Sequence, residues 1–185
     1  MTKVKNLKLK ISLVGKTVPE KHNGEAGRYI EDLMEEQGVP IDRRATVDTP
    51  LFELKSRDID ATSPHTIGGM TLNSIKTTAW EDSPIYEKIQ YQFRVKTQNK
   101  IIVENEMYDF SGWAVQSLLK EAYENSQKEI INGNINDYIY GNKFGYFEKS
   151  NKNSNTWCFR IRHSAMIHLE FLAKSTFNNL FEIVE

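Results

Sequence analysis

Apolar residues recur along this chain with two periods, and each change of period marks an element. Between Gly24 and Gln37 they fall at Ala26, Ile30, Leu33 and Met34, the spacing of a helix with one buried stripe. Gly38 follows as a terminator. Ala114, Val115, Leu118, Leu119 and Ala122 predict a second helix, capped by Ser111 and running to about Tyr123. A further, more polar helical stretch is expected over residues 125–136, ending near Gly133. Ser83-Pro84 opens a run to Arg94 whose Ile85, Ile89 and Phe93 also read as helical. Leu169, Leu172, Ala173 and Leu180 predict a last helix over His168 to Phe181.

A period of two appears elsewhere. Around Glu53, side-chain alternation puts Glu53 and Lys55 on one strand face and Phe52 and Leu54 on the other. Ile101 to Tyr108 reads as a strand, as do residues 138–147 and 156–162, which flank a Lys/Asn/Ser-rich tip at residues 148–155. Residues 3–14 fit a strand or the start of an amphipathic helix, a span too short for periodicity to decide. Residues 17–23 read as a loop with His22 on its surface. Ser56 to Thr71 is polar, contains Pro64, Gly68 and Gly69, and lacks a helical pattern through them. Helices interleaved with strands, without a repeat or a linker, predict one α/β domain over residues 1–185, either simple or of two lobes around a cleft.

Composition narrows the classes. With 185 residues, 39% hydrophobic and 26% charged, the chain is globular and long enough for a real core. It has no long uncharged apolar run, and lysines interrupt every apolar pair from Met1 to Lys10, so neither a membrane span nor a signal-peptide core is expected. The single cysteine, Cys158, leaves no disulfide framework and no clustered cysteine zinc site. His163 and His168 are spaced badly for one helical face and predict no zinc site. No phosphate-loop pattern occurs, which argues against an ATPase. A net charge of -1 does not announce a nucleic-acid partner, so the distribution of charge has to carry that argument.

The chemistry concentrates in Asp48-Thr-Pro-Leu-Phe-Glu53-Leu-Lys55-Ser-Arg57. Two carboxylates suit a hard cation such as Mg²⁺, which keeps waters and phosphate oxygens in its shell. A lysine beside them orients or deprotonates an attacking water, or stabilises charge developing on phosphorus. The plainer reading of Glu-x-Lys is a solvated ion pair worth about 0.2–1 kcal/mol. Asp48 is the nearer partner for Glu53, and Asp42 is the alternative. Glu31 flanks the buried stripe of the first helix.

In this order, helix with Glu31, Asp48, Glu53-Leu54-Lys55, then Ser63-Pro-His-Thr-Ile-Gly-Gly69, the chain resembles the PD-(D/E)xK nuclease superfamily, and within it the MutH and restriction-endonuclease-like branch. The resemblance covers about residues 20–75 and, more loosely, the arrangement through residue 162. It implies a mixed central sheet flanked by helices with the Glu-x-Lys strand near its middle. It further implies a Mg²⁺-dependent DNA endonuclease, with Mn²⁺ as a substitute metal. Asp48, Glu53 and Glu31 would hold the metal and Lys55 would assist the water. The implied setting is bacterial or phage-infected cytoplasm, in a restriction-type or DNA-degrading phage enzyme, one possibility being the T-even type that acts on cytosine-containing single strands. Monomer and homodimer both stay open. The rival is a non-catalytic nucleic-acid-binding or regulatory module that keeps the fold.

Candidate DNA contacts are Arg57, Ser63, Thr66, Arg160 and Arg162. The hydroxyls of residues 56–71 suit phosphate or sugar contacts, or belong to a plain connecting loop. Arg160 and Arg162 share one face of the last strand, either to meet phosphates or guanine edges, or as a solvated face paired with Glu148.

Overall fold

The computed structural model describes residues 7–9, 13–22, 25–43, 46–49, 52–174 and 181–183. In chain order the elements are β1 (Leu7–Leu9), α1 (Ala26–Glu36), β2 (Glu53–Asp58), β3 (His65–Thr71), α2 (Leu72–Thr77), α3 (Pro84–Lys88), β4 (Tyr91–Gln98), β5 (Ile101–Asp109), α4 (Trp113–Ile131), β6 (Tyr138–Tyr140), β7 (Tyr146–Lys149), β8 (Thr156–Ile161), α5 (His163–Lys174) and β9 (Phe181–Ile183). The fold is mixed α/β, as the alternating periods predict. It divides into two compact units, Met1–Ala61 with Tyr91–Asp109 and Lys174–Glu185, and Thr62–Gln90 with Phe110–Ala173. Among the described residues no helix is long and apolar enough to cross a membrane.

The first unit holds a three-stranded sheet in the order β2-β4-β5, with β2 parallel to β4 and β4 antiparallel to β5. Strands β1 and β9 form a separate parallel pair. Phe52, Leu54, Phe93, Val95, Ile102 and Met107 supply the apolar face of the sheet, and Ala26, Ile30 and Met34 of α1 join them in one buried cluster. Helix α1 stops as the periodicity predicts, with Gly38 at φ +85° just beyond it. Among the described residues β2 lies at an edge of its sheet rather than near the middle. Its outer side is therefore open to side-chain partners.

The second unit holds a four-stranded antiparallel sheet, β3-β8-β7-β6. Trp80, Tyr123, Phe147 and Phe159 form a ring-on-ring core, with centroids 5.2–6.2 Å apart. Helix α4 is one continuous element. Ser126 and Ile130 extend the buried stripe of Val115, Leu119, Ala122 and Tyr123, so the polar residues around Asn125 do not break it. Its N-cap is Gly112, without a side-chain cap, rather than Ser111.

Three further expectations about element boundaries fail for physical reasons. The run after Pro84 is helical only to Lys88, and Tyr91–Gln98 is strand. Phe93 and Val95 alternate with Gln92 and Arg94, and pairing with both β2 and β5 satisfies the backbone. The polar segment 56–71 contains the end of β2 and all of β3. Gly69 there is a packing requirement, since a Cβ at this position would meet the Thr156 methyl of the neighbouring strand. The last helix begins at His163, five residues early. Of its expected remainder, residues 175–180 lie outside the described residues and Phe181 begins β9.

Gly141 gives a direct test of unit 2. A Cβ there would meet the Ala122 carbonyl and would stand 2.7 Å from the Gly145 carbonyl oxygen, both backbone groups that no side-chain rotation removes. Gly141→Ala should cost about 1–3 kcal/mol, as overpacking of a tight site does, and should lower the urea midpoint measured by tryptophan fluorescence. An unchanged midpoint would show that the turn has room to relax.

Candidate functional site

The edge position of β2 follows from its sequence. Its outer Leu54 N–H has no strand partner and donates instead to Asp48 Oδ2 at 2.7 Å. The Asp48 N–H returns a contact to Glu53 Oε2 at 3.3 Å. Asp48 is thereby laid against the strand by two hydrogen bonds. Glu53 is 3% exposed, and its Oε1 lies 2.8 Å from Lys55 Nζ. The acid and the amine predicted to share a face do so, and they touch.

That face is more polar than periodicity alone suggested. The register sets Glu53 beside Gln92 and Lys55 beside Arg94, with Tyr108 and Glu106 on β5 beyond them in the same two rows. Gln92 and Arg94 are buried, and Arg94 Nη1 donates to Gln92 Oε1 at 2.7 Å. Tyr108 Oη donates to Glu106 Oε2 at 2.8 Å. Arg57 continues the same face opposite Lys96, which pairs with Glu104 at 3.5 Å. Gln92 and Arg94 were missed as site residues because the run from Pro84 reads as helix. The alternation of Gln92, Arg94 and Lys96 with Phe93 and Val95 was the available signal.

On the other side of the β2 edge lies an open cleft of about 480 Å³, lined by Gly27, Arg28, Glu31, Arg43, Asp48 and Ser56 among others. Helix α1 approaches β2 closely here, since a Cβ on Gly27 would sit 3.3 Å from Ser56 Oγ. Glu31 reaches the cleft from α1 and is held by Arg43 Nε at 3.2 Å. The same guanidinium contacts Asp32 at 2.9 Å and Glu35 at 3.3 Å. Burial and the neighbouring Asp48 carboxylate push the Glu31 carboxyl above the ordinary carboxylate range, against the opposing pull of Arg43. His22, expected at the surface, is buried and hydrogen-bonds Asp32 at 2.9 Å.

Asp48 is thus the hinge of the four predicted residues. It couples electrostatically to Glu31 across the cleft and by hydrogen bond to Glu53, whose other oxygen holds Lys55. Asp42 is exposed, and its backbone N–H donates to the Asp48 carbonyl at 2.8 Å. Among the described residues no three His, Cys, Asp or Glu side chains converge as a metal-holding group. Three carboxylates line the cleft, Glu25, Glu31 and Asp48, and of these Glu31 and Asp48 are the pair that feel each other's charge. That pair fits Mg²⁺, which is commonly held by one or two carboxylates with waters and phosphate oxygens filling the remaining positions.

The raised Glu31 carboxyl sets a pH dependence. A group whose folded-state pKa exceeds its unfolded value lends stability that is fully present below the unfolded pKa and lost as pH rises through the folded one. In EDTA, Glu31→Gln should match wild type in urea midpoint below about pH 4.5, the ordinary glutamate value, and exceed it at neutral pH. Mg²⁺ should raise the neutral-pH midpoint of wild type and not of the variant. Equal Mg²⁺ responses would remove Glu31 from the cation set.

The predicted DNA contacts fall in both units. Arg57 is half-buried in unit 1, while Ser63 and Thr66 are exposed in unit 2, flanking the start of β3. Thr66 stands opposite Arg160 in the β3–β8 register. Arg160 pairs with Glu148 at 3.1 Å, whereas Arg162, one residue past β8, donates to Tyr138 Oη at 2.9 Å. His163 joins the unexpected partner His65, with Nδ1 and Nε2 3.0 Å apart and the rings stacked. No protein-family model matches this chain, and no curated protein matches it either.

Proposed function

We propose that this protein is a divalent-metal-dependent DNA endonuclease of restriction-endonuclease-like architecture, with its chemistry on β2 and α1. The observation that carries the reading is the tie between Asp48 and the Glu53–Lys55 pair, made through the Leu54 and Asp48 N–H groups at the open edge of β2. An edge strand leaves room for a phosphodiester beside these groups.

In the proposed reaction water attacks phosphorus, the bond to one ester oxygen breaks, and that oxygen leaves with a proton. Glu31 and Asp48 would hold Mg²⁺ or Mn²⁺, which when bound supplies Lewis-acid stabilisation of charge on the phosphate, whereas Glu53, expected as a third ligand, does not line the cleft and is engaged by Lys55. Glu53 fixes the Lys55 ammonium, and Lys55 orients the water or meets the charge developing on a phosphoryl oxygen. Arg43 holds Glu31 in its place on the cleft wall. The biological setting in this reading is restriction or phage-type DNA degradation in a bacterial cytoplasm.

A second reading has its own support. Glu53 and Glu31 already carry cationic partners, Lys55 and Arg43, which suits a binding module that keeps the framework without the chemistry. One experiment separates the two. Circular duplex and circular single-stranded DNA are incubated with the protein in Mg²⁺ or in EDTA. Metal-dependent cutting of either supports the enzyme, and binding without cutting supports the module.

A further inference from the structure

Unit 2 contains a pocket of about 420 Å³ apart from the β2 site, lined by Thr62, Tyr138, Tyr146, Arg162, His163 and Ser164, with Pro64. The volume falls in the range of small-ligand sites. Its walls combine aromatic surface with a single strong cation. The Tyr138 and Tyr146 rings meet at a tilt of 33° with centroids 4.5 Å apart, and the Arg162 guanidinium lies 5.9 Å from the Tyr146 ring centre. Arg162 gives one N–H to Tyr138 Oη.

Among the described residues no acid lines this pocket. Arg162 lies among phenols there, hydrogen-bonded to Tyr138 Oη and set over the Tyr146 ring. Arg160, two residues earlier, is by contrast already paired with Glu148. The two arginines that sequence alternation treats alike are therefore different groups. Arg162 keeps donors of its planar fork available for an anion. The hydroxyls of Thr62 and Ser164 add neutral donors around it. Tyr138 is 37% exposed, so ring surface remains beside the cation.

We propose that this pocket holds one nucleotide of a bound single strand, with its phosphate on Arg162 and its base stacked on Tyr138. An anion joined to a flat apolar ring is the ligand class that matches a cation set among tyrosines. A base is free to stack on a side chain only when unpaired, which favours a single strand over an intact duplex. The proposal rests on reading DNA as the partner but not on the protein's cutting it.

The test is fluorescence anisotropy with a short labelled single strand and its duplex, in EDTA, across a salt series. Arg162→Ala should weaken single-strand binding about tenfold or more and flatten the slope of log K against log[salt] by about 0.7. Arg160→Ala should leave both near wild type, because its charge is already spent on Glu148. Tyr138→Ala should weaken binding about five- to hundredfold, and Tyr138→Phe, which keeps the ring, should restore most of it. Unchanged affinity and slope in Arg162→Ala overturn the phosphate contact, and unchanged affinity in Tyr138→Ala overturns the stacking. A deoxynucleoside monophosphate that competes as well as the strand would assign the pocket to free nucleotides and overturn the strand proposal. The cutting assay keeps the two readings apart. Arg162-dependent binding without metal-dependent cutting retains this pocket and removes the nuclease, and cutting with Arg162-independent binding does the reverse.

Discussion

Glu53→Ala and Lys55→Ala should each abolish nearly all metal-dependent DNA cleavage. Lys55 contributes an ammonium whose position depends on Glu53 Oε1 at 2.8 Å, and Glu53 also accepts the Asp48 N–H. Removing either group takes away charge stabilisation or water positioning, contributions that commonly amount to about 10²–10⁴ in rate. Both changes also touch a buried pair. Lys55→Ala removes an ammonium 2.8 Å from a carboxylate that is 3% exposed, a change that costs stability. Urea midpoints must accompany the rates, and Glu53→Gln, which retains an acceptor for the Asp48 N–H, is the companion variant. Loss of cutting with a folded Glu53→Gln protein places the carboxylate in the chemistry. Retention of more than about a tenth of wild-type cutting in a variant would remove that residue from the centre.

How much of this site the sequence makes legible depends on which physical signal is local. The Glu53–Lys55 contact is local, because alternation on a strand fixes it once Pro50 and the polar run beyond have bounded the strand. Helix α1 is local as well, since its stripe and Gly38 terminator are written in consecutive residues. The edge position of β2 is not local. Strand order depends on which segment pairs with which, and that is decided by β4, whose sequence carries two competing periods. Ile85, Ile89 and Phe93 fit a helix, while Phe93 and Val95 fit a strand, and tertiary pairing selects the second. The misreading of β4 concealed the polar columns of Gln92 and Arg94 behind Glu53 and Lys55. The His65–His163 contact joins residues 98 positions apart and has no sequence signal at all. The different fates of Arg160 and Arg162 are likewise invisible to alternation, which places both on one face and is silent about Glu148 and Tyr138.

Asp48→Asn should damage metal-dependent activity far more than Asp42→Asn. Sequence order alone leaves both acids available, five and eleven positions before Glu53. The structure separates them by what each side chain does. Asp48 lines the cleft with Glu31, raises the Glu31 carboxyl by its charge, and holds the Leu54 N–H through Oδ2. Asp42 is exposed and does not line the cleft, and its backbone N–H bond to the Asp48 carbonyl survives any side-chain change. Asparagine keeps an oxygen acceptor for the Leu54 N–H, so Asp48→Asn should remain folded while losing a negative charge from the cation set. The expected result is a loss of about 10²-fold or more in cutting at fixed Mg²⁺, with part of it recovered at higher metal concentration. Asp42→Asn should stay within about threefold of wild type, as surface substitutions away from such features usually do. The measurement is the initial nicking rate on circular DNA across a Mg²⁺ series, beside a urea midpoint for each variant. A reversed ranking would move the cation site to the Asp42 side of the loop. Equal, small effects in both would take the acids of this loop out of the reaction and leave the Glu53–Lys55 pair as an ordinary buried ion pair.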